Sequence, residues 1–239
     1  MINGKRIAVV MPAYNAVQTL EATVRDLPDC VDDRILVDDR STDATVAMAH
    51  RLGLSVEVHE RNRGYGGNQK VGYTYAIRES FDFVAMVHGD GQYAPEELPR
   101  LVAPLRDGEA DAVFGSRMMT RFGALKGGMP LYKFIGNRVL SSSQNLLLGT
   151  NLTEFHSGYR VYSVAALRQI RYRLNSDVFH FDTEIIIQFL NAGLRIRELP
   201  IPTYYGDEIC RVNGMKYAKD VMLATLRNVA HRAGLLYQR

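Results

Sequence analysis

Cysteine is almost missing from the chain: the only two, Cys30 and Cys210, stand far apart with no metal-ligand spacing. That excludes a disulfide framework or a cysteine zinc site and suits the thiols of a reducing compartment. A large charge of one sign is missing as well. With 29 basic against 26 acidic residues the formal net charge is +3, too mild for nucleic acid to be expected as a partner from bulk charge. No stretch approaches the roughly 20 apolar residues that a membrane span requires. The short apolar run after Arg6 ends at Pro12, unlike a signal peptide. Internal repeats, low-complexity tracts and linkers are absent. No G-x-G-x-x-G follows the first apolar run and no G-x-x-x-x-G-K-[ST] occurs anywhere, which argues against dinucleotide binding and P-loop phosphoryl transfer.

What the chain does have is ample apolar content, 46% of 239 residues, arranged in short runs alternating with helical patterns. Residues 7–11, 34–37, 55–59, 83–88, 111–114, 158–162 and 195–199 read as strands, several as continuous apolar runs buried on both faces. Helices are expected at about 17–27, up to 52, 68–78, 95–106, 131–148, 164–171 and 182–191, and the C-terminal stretch reads as a basic amphipathic helix. Residues 118–128, rich in Gly, Met and basic side chains without periodicity, read as a mobile loop. The alternation calls for an α/β fold: one doubly wound, mostly parallel sheet with helices on both faces, because each parallel crossover requires a helix. Ligands of such sheets collect at the carboxyl ends of the strands.

Three carboxylates fall at such ends. Asp90 stands between Gly89 and Gly91 where the 83–88 run stops, a position that serves either a tight turn or a ligand site. Asp38 and Asp39 end the second run just ahead of Ser41, Thr42 and Asp43, so they serve a turn and helix cap or a ligand. Together they suit a nucleotide: one carboxylate can accept hydrogen bonds from a base or ribose while another holds a hard divalent cation, Mg²⁺ or Mn²⁺, with pyrophosphate oxygens completing its shell.

Val10-Met11-Pro12-Ala13-Tyr14-Asn15, Val37-Asp38-Asp39-Arg40-Ser41-Thr42-Asp43, Asn62-Arg63-Gly64-Tyr65-Gly66-Gly67, His88-Gly89-Asp90-Gly91-Gln92-Tyr93 and Gly115-Ser116-Arg117 together resemble the family 2 inverting glycosyltransferases. Within that family the chain is most similar to the dolichyl- or polyprenyl-phosphate mannose and glucose synthase branch. The resemblance implies a single GT-A domain over residues 1–239, with a nucleotide-sugar-binding half at 1–115 and an acceptor-binding half at 116–239. It also implies a GDP- or UDP-hexose donor, a divalent cation and inversion at the anomeric carbon. Carried over, Pro12, Tyr14, Asn15, Asp38, Asp39 and Gly64 would line the donor site, and Asp90 and Gln92 would hold metal and diphosphate. The chain departs from the family pattern at Ala16, where Glu is frequent, and at His88, which replaces the first acid of the usual Asp-x-Asp. His88 is then either a metal ligand or a hydrogen-bonded histidine at a strand end.

On the acceptor side the resemblance implies that Arg117 and Arg138 hold a lipid phosphate. Arg138 and Ser142, four residues apart on a helix, share a face. The basic stretch Arg117, Arg121, Lys126, Lys133 and Arg138 reads equally as a solvated loop, and Met118, Met119, Phe122, Leu125 and Met129 could meet lipid. A lipid phosphate is already anionic and needs no base, whereas a saccharide or other hydroxyl does, for which Asp182 or Glu184 beside His180 would serve. His156-Ser157-Gly158-Tyr159-Arg160 resembles the family's Gly-Phe-Arg segment, with Arg160 structural or in an acceptor loop. The C-terminal helix either covers a core face or lies on an anionic membrane. The resulting expectation is a cytoplasmic enzyme, peripheral on the membrane face. Its rivals are a hydroxyl-directed glycosyltransferase, a non-catalytic sugar-nucleotide-binding protein, and a nucleotidyltransferase, which should carry a Gly-rich basic loop where Pro12 to Asn15 stand.

Overall fold

Apolar runs of the first half pair side by side: β1 (Ile7–Ala13) with β2 (Asp33–Asp38), β2 with β3 (Ser55–Val58), and β1 with β4 (Phe83–Met86), all parallel. The computed structural model describes residues 1–88, 93–120, 122–202, 205 and 212–234. Three further strands complete one seven-stranded sheet in the order β3-β2-β1-β4-β6-β5-β7. They are β5 (Ala112–Ser116), β6 (Arg160–Ser163) and β7 (Ile196–Pro200). β6 lies antiparallel between β4 and β5, with Arg160 opposite Met86. Among the described residues it is the one reversal in an otherwise parallel sheet, and it brings the start of β6 to the edge where β1, β2 and β4 end.

Side chains of successive strand residues point to opposite faces, so the strands feed two cores. Val10, Ile35, Val37, Val84, Met86 and Tyr162 join one, under α3 (Gly64–Arg78), α7 (Val164–Leu167) and α8 (Phe181–Asn191). Val9, Met11, Leu36, Ala85, Val87 and Val161 join the other, under α1 (Val17–Arg25), α2 (Thr45–Arg51) and α4 (Leu98–Arg106). Helix α3 approaches β1 so closely that a Cβ at Gly72 would overlap the Val10 side chain.

The second half adds α5 (Gly123–Lys126), α6 (Leu131–Leu148) and α9 (Gly214–Arg232). The 118–128 stretch departs from the expected loop. It contains the α5 turn and a small core of its own, with Met118, Ala124 and Met129 buried against Phe134 and Tyr205. Met118 and Met129 are therefore not free to meet lipid, while Met119 and Phe122 are exposed. Helix α9 packs on α6 and α8 through Val221 and Thr225, so it covers a core face. Among the described residues no helix is long and apolar enough to cross a membrane.

Candidate active site

The loops leaving β1 and β2 brace one another. Asn15, held at φ 54°, accepts from the Thr42 N–H at 2.8 Å and donates its own N–H to the Ser41 hydroxyl at 2.8 Å. Asp38 is fully buried and accepts from the Ser41 N–H at 2.8 Å and from its hydroxyl at 2.5 Å. Asp39 accepts from the backbone N–H groups of Arg63 (2.6 Å) and Gly64 (2.9 Å), which ties the end of β2 to the start of α3. The acidic pair thus builds the loops. Pro12 still lies within β1, opposite Val37, and Tyr14 beyond it is 40% exposed. Asp90 and Gln92 lie outside the described residues.

Gly64, at φ +81°, sits where a Cβ would meet the Asp177 carbonyl oxygen at 2.7 Å. The Gly66 N–H donates to that oxygen at 2.8 Å. These glycines are therefore needed for close approach of the chain that leads into α8, which carries Asp182. A Cβ at Gly66 would stand 2.5 Å from the Ser176 carbonyl and 2.9 Å from Phe181 Cβ, both on fixed chain. Gly66→Ala is expected to cost about 1–3 kcal/mol, as overpacking does, and to displace Asp182. Urea unfolding with a transfer assay checks both; a fully stable, fully active variant would contradict it.

Beyond β4, the Val87 N–H donates to the Val10 carbonyl at 3.0 Å, which carries the chain on to His88 at the sheet edge. His88 Nε2 lies 3.1 Å from the Tyr65 hydroxyl, and that hydroxyl donates to Asp182 Oδ2 at 3.0 Å. The other Asp182 oxygen accepts from Gln69 Nε2 at 2.9 Å, with Arg160 Nη1 at 3.5 Å. Tyr65 is clamped by rings: Phe179 stacks on it with centroids 5.3 Å apart and His88 meets it edge-on. Burial, reinforced by the Asp182 charge, pushes the Tyr65 phenol well above its ordinary range, so it stays protonated. Gly158 completes the frame, since a Cβ there would stand 2.6 Å from His88 Nε2, and its N–H donates to Tyr93 at 2.7 Å.

Arg160 is buried and spends its guanidinium on the carbonyls of Ser157, Asp182 and Phe155. These bonds are structural, one of the two roles expected of it. Asp182 and Glu184 part company: Glu184 accepts from the Ser176 N–H at 2.6 Å and lines the cleft between α8 and α9 with His180 and Asp220. Among the described residues no group of three or more His, Cys, Asp or Glu is placed to hold a metal.

On the acceptor side the structure separates what the sequence grouped. Arg117 is 7% exposed; its backbone N–H, Nε and Nη2 engage Glu154, with Nε to Oε1 at 3.0 Å and N to Oε2 at 2.8 Å, while Nη1 donates to the Tyr205 hydroxyl at 3.3 Å. Asn137 of α6 donates to the same carboxylate at 2.8 Å. Arg138 and Ser142 are exposed on α6, where Arg138 lies over the Phe134 ring, on a helix whose Leu131, Ile135, Val139 and Leu146 also face outward. Glu154 was missed by sequence reasoning because a single acid in an irregular segment carries no periodic signal. Tyr65 lies within the glycine-rich segment from Asn62 to Gly67, but its role depends on a partner 117 residues away.

The model of a family described as "Glycosyl transferase family 2" matches residues 8–171. The chain is 31% identical over 204 residues to an undecaprenyl-phosphate mannosyltransferase of Micrococcus luteus, covering 82% of each. It is 30% identical over 219 residues to a UDP-N-acetylglucosamine–dolichyl-phosphate N-acetylglucosaminyltransferase of Methanococcus voltae, covering 84% of this chain and 86% of the relative. Among solved structures, glucosyl-3-phosphoglycerate synthase from Mycobacterium tuberculosis, in complex with Mn²⁺, UDP and glucosyl-3-phosphoglycerate, superposes with a TM-score of 0.74 at 22% identity. That match covers 95% of this chain and 81% of the synthase and carries the fold alone.

Proposed function

The chain belongs to glycosyl transferase family 2, and we propose that it transfers a hexose, with inversion, from a GDP- or UDP-linked donor to a polyprenyl-type lipid phosphate. The observation that carries the acceptor class is the state of the two candidate bases. Asp182 is 6% exposed with both oxygens engaged, and Glu184 belongs to the α8–α9 cleft. A hydroxyl acceptor would need a base within reach of its proton; a lipid phosphate is already an anionic nucleophile. The outward apolar stripe of α6, with Arg138 and Ser142 on the same helix, favours the same acceptor, because a basic residue among exposed aliphatic side chains suits an anionic headgroup above lipid tails. This reading puts the enzyme at the cytoplasmic face of a membrane as a peripheral protein, with residues 1–115 serving the donor and 116–239 the acceptor.

A family 2 donor site implies a divalent cation, Mg²⁺ or Mn²⁺. Of the expected ligands, Asp90 and Gln92 lie outside the described residues, so the fit is judged at His88. Its ring sits in a cradle that only a glycine at 158 leaves open, with Nε2 turned to the Tyr65 hydroxyl, and an imidazole so anchored fits a metal ligand. Bound there, the cation would offset charge on the departing nucleoside diphosphate. The chain's own residues orient the donor from the loops that Asn15, Asp38 and Asp39 hold in place.

The test is a transfer assay of the purified chain with UDP- and GDP-hexoses and Mn²⁺, comparing polyprenyl phosphate with soluble saccharides. Sugar is expected in the lipid phase, and Asp90→Ala is expected to lower the rate about 100-fold or more, as loss of charge stabilisation does. Transfer to saccharides only, lost in Asp182→Asn, would instead establish the hydroxyl-directed enzyme.

A further inference from the structure

Buried polar groups are normally hydrogen-bonded, and the cleft between α8 and α9 gathers several that are not. Helix α8 lends it His180, Glu184, Ile187 and Gln188, spaced along one helix face. Helix α9 lends it Asp220, Leu223, Ala224 and Arg227 on the same spacing, and Asn175 completes the lining around a volume of about 320 Å³, enough for a small molecule. Asn175 is 8% exposed and accepts from Gln188 Nε2 at 2.7 Å. That one bond leaves Asn175 Nδ2 and Gln188 Oε1 buried with no partner among the described residues, and His180 Nδ1 is unpartnered beside them. Turning both amides over exchanges the two atoms and still leaves one donor and one acceptor. An unmade buried donor and acceptor are costly, so the cleft is built for an occupant that supplies both.

The charges around these atoms narrow its chemistry. Glu184 and Asp220 oppose a simple anion, and Arg227 opposes a bare cation. Among the described residues no three His, Cys, Asp or Glu are placed to hold a metal. An occupant that carries an ammonium and a carboxylate answers both signs at once. Ile187, Leu223 and Ala224 offer an aliphatic body cover from water, which favours its entry. We propose that the α8–α9 cleft binds a free aliphatic α-amino acid. Its ammonium meets Glu184 and Asp220, its carboxylate meets Arg227 and the spare Asn175 N–H, and its side chain lies against Ile187, Leu223 and Ala224.

Calorimetric titration of the purified chain with L-leucine tests this without any nucleotide sugar, so its outcome is independent of the glycosyltransferase reading. A Kd of about 1 mM or tighter is expected, which is open to so small a ligand. Isoamylamine lacks the carboxylate, isocaproate lacks the ammonium and glycine lacks the side chain; each should bind at least about tenfold more weakly than leucine. Asp220 is half-buried and Arg227 exposed, so Asp220→Asn and Arg227→Gln should leave the ligand-free thermal midpoint where it was. Each should weaken leucine about tenfold and reduce the rise in midpoint that leucine gives the wild type. A leucine Kd weaker than about 10 mM in the folded wild type overturns the proposal. So does an amine or an acid that binds as tightly as leucine, or a leucine affinity unchanged in both folded variants.

Discussion

Replacing Glu154 by alanine is expected to lower the thermal midpoint by about 10 °C. The side chain is fully buried and receives Arg117 through its backbone N–H and guanidinium, together with Asn137. Burial works against ionisation of Glu154, yet the adjacent Arg117 charge and its hydrogen bonds hold the carboxyl below its usual range. Truncating one partner of such a pair strands the other charge, a loss of about 3–5 kcal/mol, and a domain of this size shifts by about 2–4 °C per kcal/mol. The double substitution Arg117→Met/Glu154→Leu should recover most of the loss, since a buried ion pair exchanged for apolar side chains of similar volume is often neutral. Calorimetric scans of the single and double variants check this. A midpoint lowered by less than about 3 °C in Glu154→Ala would show that water or another group replaces the carboxylate, and Arg117 would then be available to an acceptor after all. As long as the pair holds, Arg117 variants should fail through instability, whereas Arg138 variants should lose acceptor affinity in a stable protein.

The strands were readable from the chain because each is a local pattern. The runs at 7–11, 34–37 and 83–88 end within a few residues of β1, β2 and β4, since a strand buried on both faces is apolar throughout and stops at turn residues. The reversal of β6 was not readable. It depends on Arg160 pairing opposite Met86 across the sheet, and nothing within the 158–162 segment states its direction. The 118–128 stretch misled for a related reason: its small core needs Phe134 and Tyr205, so its order comes from outside the segment. In the site, residue types were legible but partnerships were not. Asp38 and Asp39 look alike in sequence, yet one caps its own turn at Ser41 and the other binds the start of α3. Asp182 and Glu184 share a helix turn, yet one is buried against Tyr65 and Gln69 and the other lines the α8–α9 cleft.

A second large effect is expected in acid, and it comes from His156. Its Nδ1 meets the Tyr217 hydroxyl at 2.8 Å, and among the described residues its buried Nε2 has no hydrogen-bond partner. Burial above all pushes the imidazole down to about 3; the neighbouring Arg160 and Arg117 charges add to this, and Glu154 opposes it. In the unfolded chain a histidine takes its proton near pH 6.5. Between about 6.5 and 3 the unfolded state therefore binds the proton and the native state does not, so stability falls as pH drops through that window and is fully present above it. At most about 1.4 kcal/mol is lost per pH unit. Allowing for residual screening by solvent, a loss of about 2–3 kcal/mol between pH 7 and pH 4 is expected from this group. His156→Gln keeps a side-chain acceptor for Tyr217 without a titrating ring, so it should be less stable than the wild type at pH 7 and lose less on acidification. Urea unfolding of both proteins at pH 7, 5.5 and 4 isolates the histidine, because the carboxylates contribute equally to each. Parallel pH profiles would mean that the native imidazole takes up its proton as readily as a free one. The segment from Glu154 to Arg160, between the two ion pairs, would then be open to water.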